Sequence, residues 1–212
     1  MTDIPLFPLG LVAFPEEKLN LHIFELRYRQ LVDECYHNGT TFGIPPVLDN
    51  KPISTGTEMK ITDLSHVYPD GKMDIKTIGI RKFELKDFRA KAPDKLYPQG
   101  VIDYIHDDEE SDIVIVSRVI NLIEQLYDVM NIDNPIPDLN LDFRIYTIAH
   151  KLGLNMEQEI ELLRMHSEIA RLEYVENHLV DLIPVVTEME NLRKKVAMNG
   201  HFKNVIPPDV KL

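Results

Sequence analysis

Apolar and polar positions follow two rhythms along this chain, and the change between them falls near residue 106. In the first half the apolar residues alternate or come in short blocks. Residues 18–23 set Leu19, Leu21 and Ile23 on one face and Lys18, Asn20 and His22 on the other, the pattern of a half-buried strand. Residues 4–9 are apolar but interrupted by Pro5 and Pro8, which suits an edge or opening strand. Residues 42–44, 59–67, 72–79, 81–89 and 100–105 read as further strands, with Tyr68-Pro69-Asp70-Gly71 as a hairpin turn. One helix interrupts the series. Over residues 25–36, Tyr28, Leu31 and Cys35 share a side, and Gly39 stands where a helix stops. Several short strands with a single helix predict a small, mostly antiparallel, barrel-like sheet.

From Asp112 the period is helical. Ile113, Val116, Ile120, Ile123, Tyr127 and Met130 recur at threes and fours, giving one apolar stripe. Asn134-Pro135-Ile136-Pro137-Asp138 breaks the chain, and a shorter helix through Phe143, Ile145, Ile148, Ala149 and Leu152 is predicted to end at Gly153. Asn155 caps the next helix, with Gln158 placed for a capping box and Glu157 and Glu159 at its positive end. Ser167 caps the run Ile169, Ala170, Leu172, Val175, Leu179 and Leu182, and Pro184 kinks it or opens a new first turn. The acidic stretch of residues 107–112 reads as a solvated linker or the first turn of a helix. The fold class is therefore α+β: a β pseudo-barrel with one helix over 1–110, a helical bundle over 111–200, and an extended tail over 201–212.

Composition narrows the function more than the fold. The 212 residues are 44% hydrophobic and 27% charged, as in soluble globular proteins. A net charge of −12 argues against nucleic acid as a partner, because phosphate binding depends on Lys and Arg releasing counterions. The single cysteine, Cys35, excludes a disulfide framework and a multi-cysteine metal site, and fits a reducing cytoplasm. No apolar run reaches the ~18 residues of a membrane span, and the N-terminus lacks the basic-then-apolar order of a secretory signal. A soluble, cytoplasmic protein without cofactor, metal or membrane attachment is expected.

The opening carries a long motif, Pro5-Leu6-Phe7-Pro8-Leu9-Gly10-Leu11-Val12-Ala13-Phe14-Pro15, followed by Leu21-His22-Ile23-Phe24-Glu25-Leu26-Arg27-Tyr28. This resembles the start of the N-terminal domain of the Lon protease family, P-L-F-P-L-x-x-V-x-F-P and then L-x-I-F-E-x-R-Y. Gly79-Ile80-Arg81-Lys82-Phe83 is similar to that family's G-x-R-x-F strand. Leu152-Gly153-Leu154 and Arg171-Leu172-Glu173 match its helical context. The resemblance implies a barrel of the type found in RNA-binding PUA domains, followed by helices. It implies a role in recognising unfolded or tagged polypeptide and in self-association, as this region has in Lon, and the chain also resembles the free-standing bacterial members of the family. It does not carry over ATP hydrolysis or proteolysis. The only Gly-Lys pair, Gly71-Lys72, lacks the upstream glycine and following Ser or Thr of a phosphate loop, and the family's Ser–Lys protease domain has no counterpart here.

Candidate chemistry is sparse. Ser54, Ser65, Ser111, Ser117 and Ser167 lie in no nucleophile turn, and adjacent Ser65 and His66 would point to opposite faces of a strand. The eight histidines include no close ligand pair; His166 and His178 are too far apart along a helix to share an ion. Cys35 reads as a small core residue and His22 as a structural hydrogen-bonding group. The best peptide-binding candidates are Phe14, Pro15, Phe24, Arg27 and Tyr28, forming a partly exposed apolar surface where strand gives way to helix. Glu25 would complement the helix dipole and Arg27 would bridge barrel to bundle. Arg193-Lys194-Lys195, with Phe202 and Lys203 beyond, is a basic end to a helix stopped by Gly200, or a contact for an acidic partner. A client polypeptide is the expected partner, alongside a protease or chaperone. RNA binding and an ATP-independent hydrolase are the alternatives.

Overall fold

The structure, a computed structural model, describes residues 1–133 and 137–201. The alternation at residues 18–23 becomes β2 (Lys18–Ile23), after a short β1 (Thr2–Pro5). Next comes α1 (Leu26–Asn38), which buries Tyr28, Leu31, Val32 and Cys35. Gly39 closes it in the left-handed conformation at φ 65°, as its lack of a Cβ allows. The strands β3 (Phe42–Ile44), β4 (Val47–Leu48), β5 (Lys51–Pro52), β6 (Thr55–Val67), β7 (Met73–Arg89) and β8 (Gln99–Tyr104) complete the β-rich part. The main sheet runs β1-β8-β7-β6-β3 with all neighbours antiparallel, and β2 joins it alongside β7. A parallel bridge between Leu6 and Gly43 brings the β1 end of the path back to β3 and closes the barrel. This is the expected α+β class, with a mostly antiparallel barrel followed by helices.

The strands expected at 72–79 and 81–89 are one. β7 runs through both because a bulge absorbs the irregularity: Met59 pairs with Gly79 and Glu58 with Arg81, leaving Ile80 as the extra residue. A Cβ at Gly79 would fall on the carbonyl oxygen of Phe14 and against Pro15, so this glycine lets the opening motif lie directly on β7. Thr57 fixes the same loop by donating its hydroxyl to the Ala13 carbonyl at 2.5 Å.

In the helical half, α2 (Ile113–Met130) begins at Asp112, whose carboxylate accepts from the Val114 N–H at 2.7 Å. The shorter helix expected through 143–152 is instead two 3₁₀ turns, Ile145–Thr147 and Ala149–Lys151. Three β-branched residues, Ile145, Thr147 and Ile148, disfavour a full helix, and Thr147 bonds back to the Arg144 carbonyl at 2.8 Å. α3 (Met156–Arg164) starts with both halves of the Asn155/Gln158 capping box. α4 (Glu168–His201) starts after Ser167, whose hydroxyl accepts from the Ala170 N–H. Pro184 lies inside α4 and opens no new helix, and the backbone passes through Gly200 as helix. Residues 134–136 of the expected break and 202–212 of the expected tail, with Phe202 and Lys203, lie outside the described residues.

The chain divides into two compact units. The first comprises Met1–Glu110 and Arg144–Arg171; the second comprises Ser111–Phe143 and the chain from Leu172. The second unit buries Val116, Val119, Ile120, Ile123, Leu126 and Tyr127 from α2 and Leu172, Val175 and Leu179 from α4. A two-pronged Arg118–Glu176 ion pair ties those helices together at 2.6 and 2.9 Å.

Two groups of contacts hold the first unit's segments together. Lys82 and Arg171, each almost fully buried, share the Asp107 carboxylate at 2.7 and 3.1 Å. Arg171 also pairs with buried Glu168 at 2.8 Å, and Glu168 accepts from the Ile145 N–H. Asp107 is therefore an internal counter-charge rather than part of a solvated linker. The second group is a histidine clamp. His150 donates Nδ1–H to Glu159 at 2.6 Å and Nε2–H to Glu17 at 3.3 Å, while Glu17 also accepts from the Phe14 N–H at 2.9 Å. Both ring nitrogens donate, so the imidazole is the cation. Its bonds to Glu159 and Glu17 push its pKa up to about 10 against the opposing effect of burial.

Two outcomes follow. Gly79→Ala should cost about 3 kcal/mol or more in denaturant unfolding, because two backbones would have to part. A loss below about 1 kcal/mol would show that they do not touch. The His150 pKa is higher in the folded chain than in the unfolded one, so the clamp's contribution is complete below pH ~6.5 and is lost as pH rises through about 10. With the side chain 37% exposed, solvent screening limits that contribution to about 1 kcal/mol. Thermal melts of wild type should fall more between pH 7 and pH 10 than those of His150→Gln; parallel curves would contradict the clamp.

Candidate functional site

The five residues expected to form one surface do not lie together on the outside. Phe14 is fully buried and stacks on Tyr146 at 5.0 Å, because Gly79 draws its loop inward. Tyr28 is 4% exposed, packed 3.9 Å from Phe7 in the barrel core. The helical stripe with Leu31 and Cys35 already placed it on the buried face. Pro15 is half-buried. Arg27 is exposed and pairs with Glu25 two residues away at 2.8 Å; its guanidinium caps the Tyr28 ring. It makes this local pair rather than the expected bridge from barrel to bundle. Phe24 alone among the apolar candidates is fully outside, at 58% exposure.

Phe24 does not stand alone. β2 ends at Ile23, and the chain turns through Phe24 and Glu25 into α1 beside the end of the β6–β7 hairpin. There the alternation of β2 and β6 sends His22 and His66 outward, and the hairpin turn contributes Tyr68. The rings form a row: Phe24 stacks on His22 at 6.3 Å, His22 meets the Tyr68 edge at 5.8 Å, and His66 meets Tyr68 at 4.3 Å. Leu26 and Val67, 71% and 53% exposed, flank it in sequence. Beside the row lies a concavity of about 340 Å³ lined by Asn20, Leu21, His22, Ser65, Asp74, Ile75 and Lys76.

Two anchors fix the row. Asp74 accepts from His22 Nδ1 at 2.6 Å and from the Tyr68 hydroxyl at 2.7 Å. These bonds, His22 first and Tyr68 second, hold the Asp74 carboxyl below the usual carboxylate range. Arg29 donates to the Phe24 carbonyl at 2.9 Å and to the Asp70 carbonyl at 2.7 Å, stapling the helix entry to the hairpin turn. Ser65 and His66 part company, Ser65 donating to Asp63 and His66 packing on Tyr68, so they form no nucleophile–base pair. Among the described residues no group of three or more His, Cys, Asp or Glu side chains could hold a metal ion. No described helix is long and apolar enough to cross a membrane. Cys35 is buried, and that burial pushes its thiol pKa up, away from nucleophilic reactivity.

This geometry offers aromatic faces, polar edges and a shallow concavity, the surface of a binding module. Residues 3–181 match the model of the ATP-dependent protease La (LON) substrate-binding domain. The chain belongs to the LON substrate-binding domain family. The family's fold recurs in the crystal structure of a Lon N-terminal domain protein from Xanthomonas campestris. That protein is 25% identical, with a TM-score of 0.62 over 82% of this chain and 96% of its own. The N-terminal domain of Mycobacterium avium complex Lon protease is 15% identical, with a TM-score of 0.65 over 85% of this chain and 99% of its own, and shows the same fold. The opening motif of the chain maps onto two places: its Phe14-Pro15 end is structural, and its Ile23-Phe24 end carries the exposed ring.

His66 and Tyr68 were missing from the sequence-derived binding candidates, and His22, expected as a structural hydrogen-bonding group, makes that bond to Asp74. Outward alternation on two strands that meet at one hairpin end was the available signal, but it needed the β2–β7 pairing to bring them together. If the row is formed in solution, His22→Ala should raise the Asp74 pKa towards ~3.9 in a carbon-detected NMR titration. An unchanged value would show that the pair is absent.

Proposed function

We propose that this chain is a non-catalytic recognition module that binds exposed segments of unfolded polypeptide through the Phe24–His22–Tyr68–His66 row. It acts as an adaptor that presents such clients to a protease or chaperone. The observation that carries the reading is the exposed aromatic row, held in place by Asp74 and Arg29, on a member of a family named for substrate binding. Aromatic faces suit this task because they give large contact area at low entropic cost and tolerate many partner side chains. Arg27, exposed three positions after Phe24 and paired with Glu25, adds a polar rim. The net charge of −12 opposes binding to polyanions and favours clients with basic flanks.

Saturable anisotropy changes are expected when a reduced, alkylated and therefore permanently unfolded protein is titrated with this chain. Substituting Phe24→Ser and Tyr68→Ser together should weaken binding about tenfold or more without lowering the melting temperature by more than about 3 °C. Equal affinity in the double variant would move the site elsewhere. No binding by wild type would remove the reading.

A further inference from the structure

Among the described residues, β2 keeps one edge free along its whole length. β1 and β3 meet through the Leu6–Gly43 bridge, β8 and β7 are paired on both sides, and β6 is paired on both sides over Thr57–Met59, beyond which it keeps β7 alone. β2 has a single neighbour, β7. Which of its backbone groups face outward follows from one bond: the Gly79 N–H donates to the Glu17 carbonyl at 2.9 Å. In an antiparallel ladder hydrogen-bonded pairs recur every second residue, so Leu19, Leu21 and Ile23 exchange bonds with Thr77, Ile75 and Met73. The N–H and C=O groups of Lys18, Asn20 and His22 point the other way, and none has a hydrogen-bond partner among the described residues.

Natural sheets guard such edges with charges, prolines or bulges. Here Lys18 and the irregular turn at Glu16, in left-handed backbone at φ 64°, guard the start of β2. Asn20 to Ile23 carries no fixed charge, no proline and no bulge, and it runs directly into the exposed Phe24 ring. The concavity lined by Asn20, Leu21 and His22 lies beside this same stretch.

We infer that the outer edge of β2 takes up an extended segment of unfolded polypeptide as an added strand, its backbone pairing with Lys18, Asn20 and His22 and its side chains reaching the aromatic row at the His22 end. The occupant is a stretch with alternating apolar side chains, because one of its faces continues the face of Leu19 and Leu21, which pack against the barrel core. Main-chain bonds make the recognition tolerant of sequence, and the rings favour segments that carry an aromatic residue. The inference rests on the proposed function and specifies how the client is held.

The test separates backbone pairing from side-chain contact. The probe is an acetylated, amidated heptapeptide of alternating Thr and Val with a central Phe. One version is N-methylated on its Thr amides and another on its Val and Phe amides. Strand addition uses one edge of the peptide, so one methylated version should bind about tenfold more weakly than the other. On the protein side, Asn20→Pro removes an outward N–H while leaving every β2–β7 bond in place, since proline is tolerated where its nitrogen faces away from the ladder. It should also weaken the parent peptide about tenfold with an unchanged circular dichroism spectrum. Equal affinities for the two methylated peptides, or no binding of the parent peptide, would overturn the inference, and the peptide series holds even if Asn20→Pro fails to fold. Binding of the unfolded protein that persists under those outcomes leaves the proposed function standing; failure of the unfolded protein itself to bind removes both.

Discussion

Two positive charges inside the first unit dictate how much of the chain must come together. Lys82 on β7 and Arg171 at the start of α4 are 1% and 2% exposed, and neither could be buried alone. Asp107 and Glu168 balance them, the Met165 carbonyl accepts from both cations at 2.5 and 2.9 Å, and the Tyr146 ring lies under the Arg171 guanidinium at 4.5 Å. Burial pushes the Lys82 pKa down, and the neighbouring Asp107 works against that shift. Such a network gains little stability over apolar packing but strongly penalises any arrangement that leaves one member unmatched. The segment from Arg144 to Arg171 therefore groups with the β-strands rather than with the helices on either side of it in sequence.

The same network marks the limit of pattern reading. Capping boxes, left-handed glycines and turn dipeptides are local, and Asn155, Ser167, Gly39 and Pro69-Asp70-Gly71 all stand where the sequence places them. The opening motif and the α+β class were equally legible. Lys82 was not. Counting by twos from the buried Ile75, Thr77 and Gly79 leads to Arg81, but the bulge at Ile80 shifts the parity and turns Lys82 inward. Nothing in residues 79–83 announces that slip. The 3₁₀ turns at 145–151 were hidden for a related reason: the Glu168 carboxylate claims the Ile145 N–H from 23 positions away, a bond no local pattern records.

The candidate surface was half legible. Phe24 reads correctly as an exposed ring at the strand–helix junction, and Arg27 as a polar neighbour. Phe14 and Tyr28 share its motif and its apolar character, yet both serve the interior, one under Tyr146 and the other against Phe7. A motif long enough to identify a family thus mixes residues that build the barrel with residues that stay on its surface. Only their packing sorts them. Phe7, Phe14 and Tyr28 support the frame, and the ring that follows β2 is left exposed.

The discontinuous make-up of the first unit also has a temporal side. During synthesis the strands through β8 emerge well before residue 171, and at about 5–20 residues per second the intervening stretch takes several seconds to translate. Over that interval Lys82 lacks Arg171's companions Glu168 and Tyr146 and has Asp107 alone as a counter-ion. A nascent barrel in that condition keeps the Lys82 flank open to water, so the burial of that charge waits on the ribosome rather than on the intrinsic speed of strand pairing.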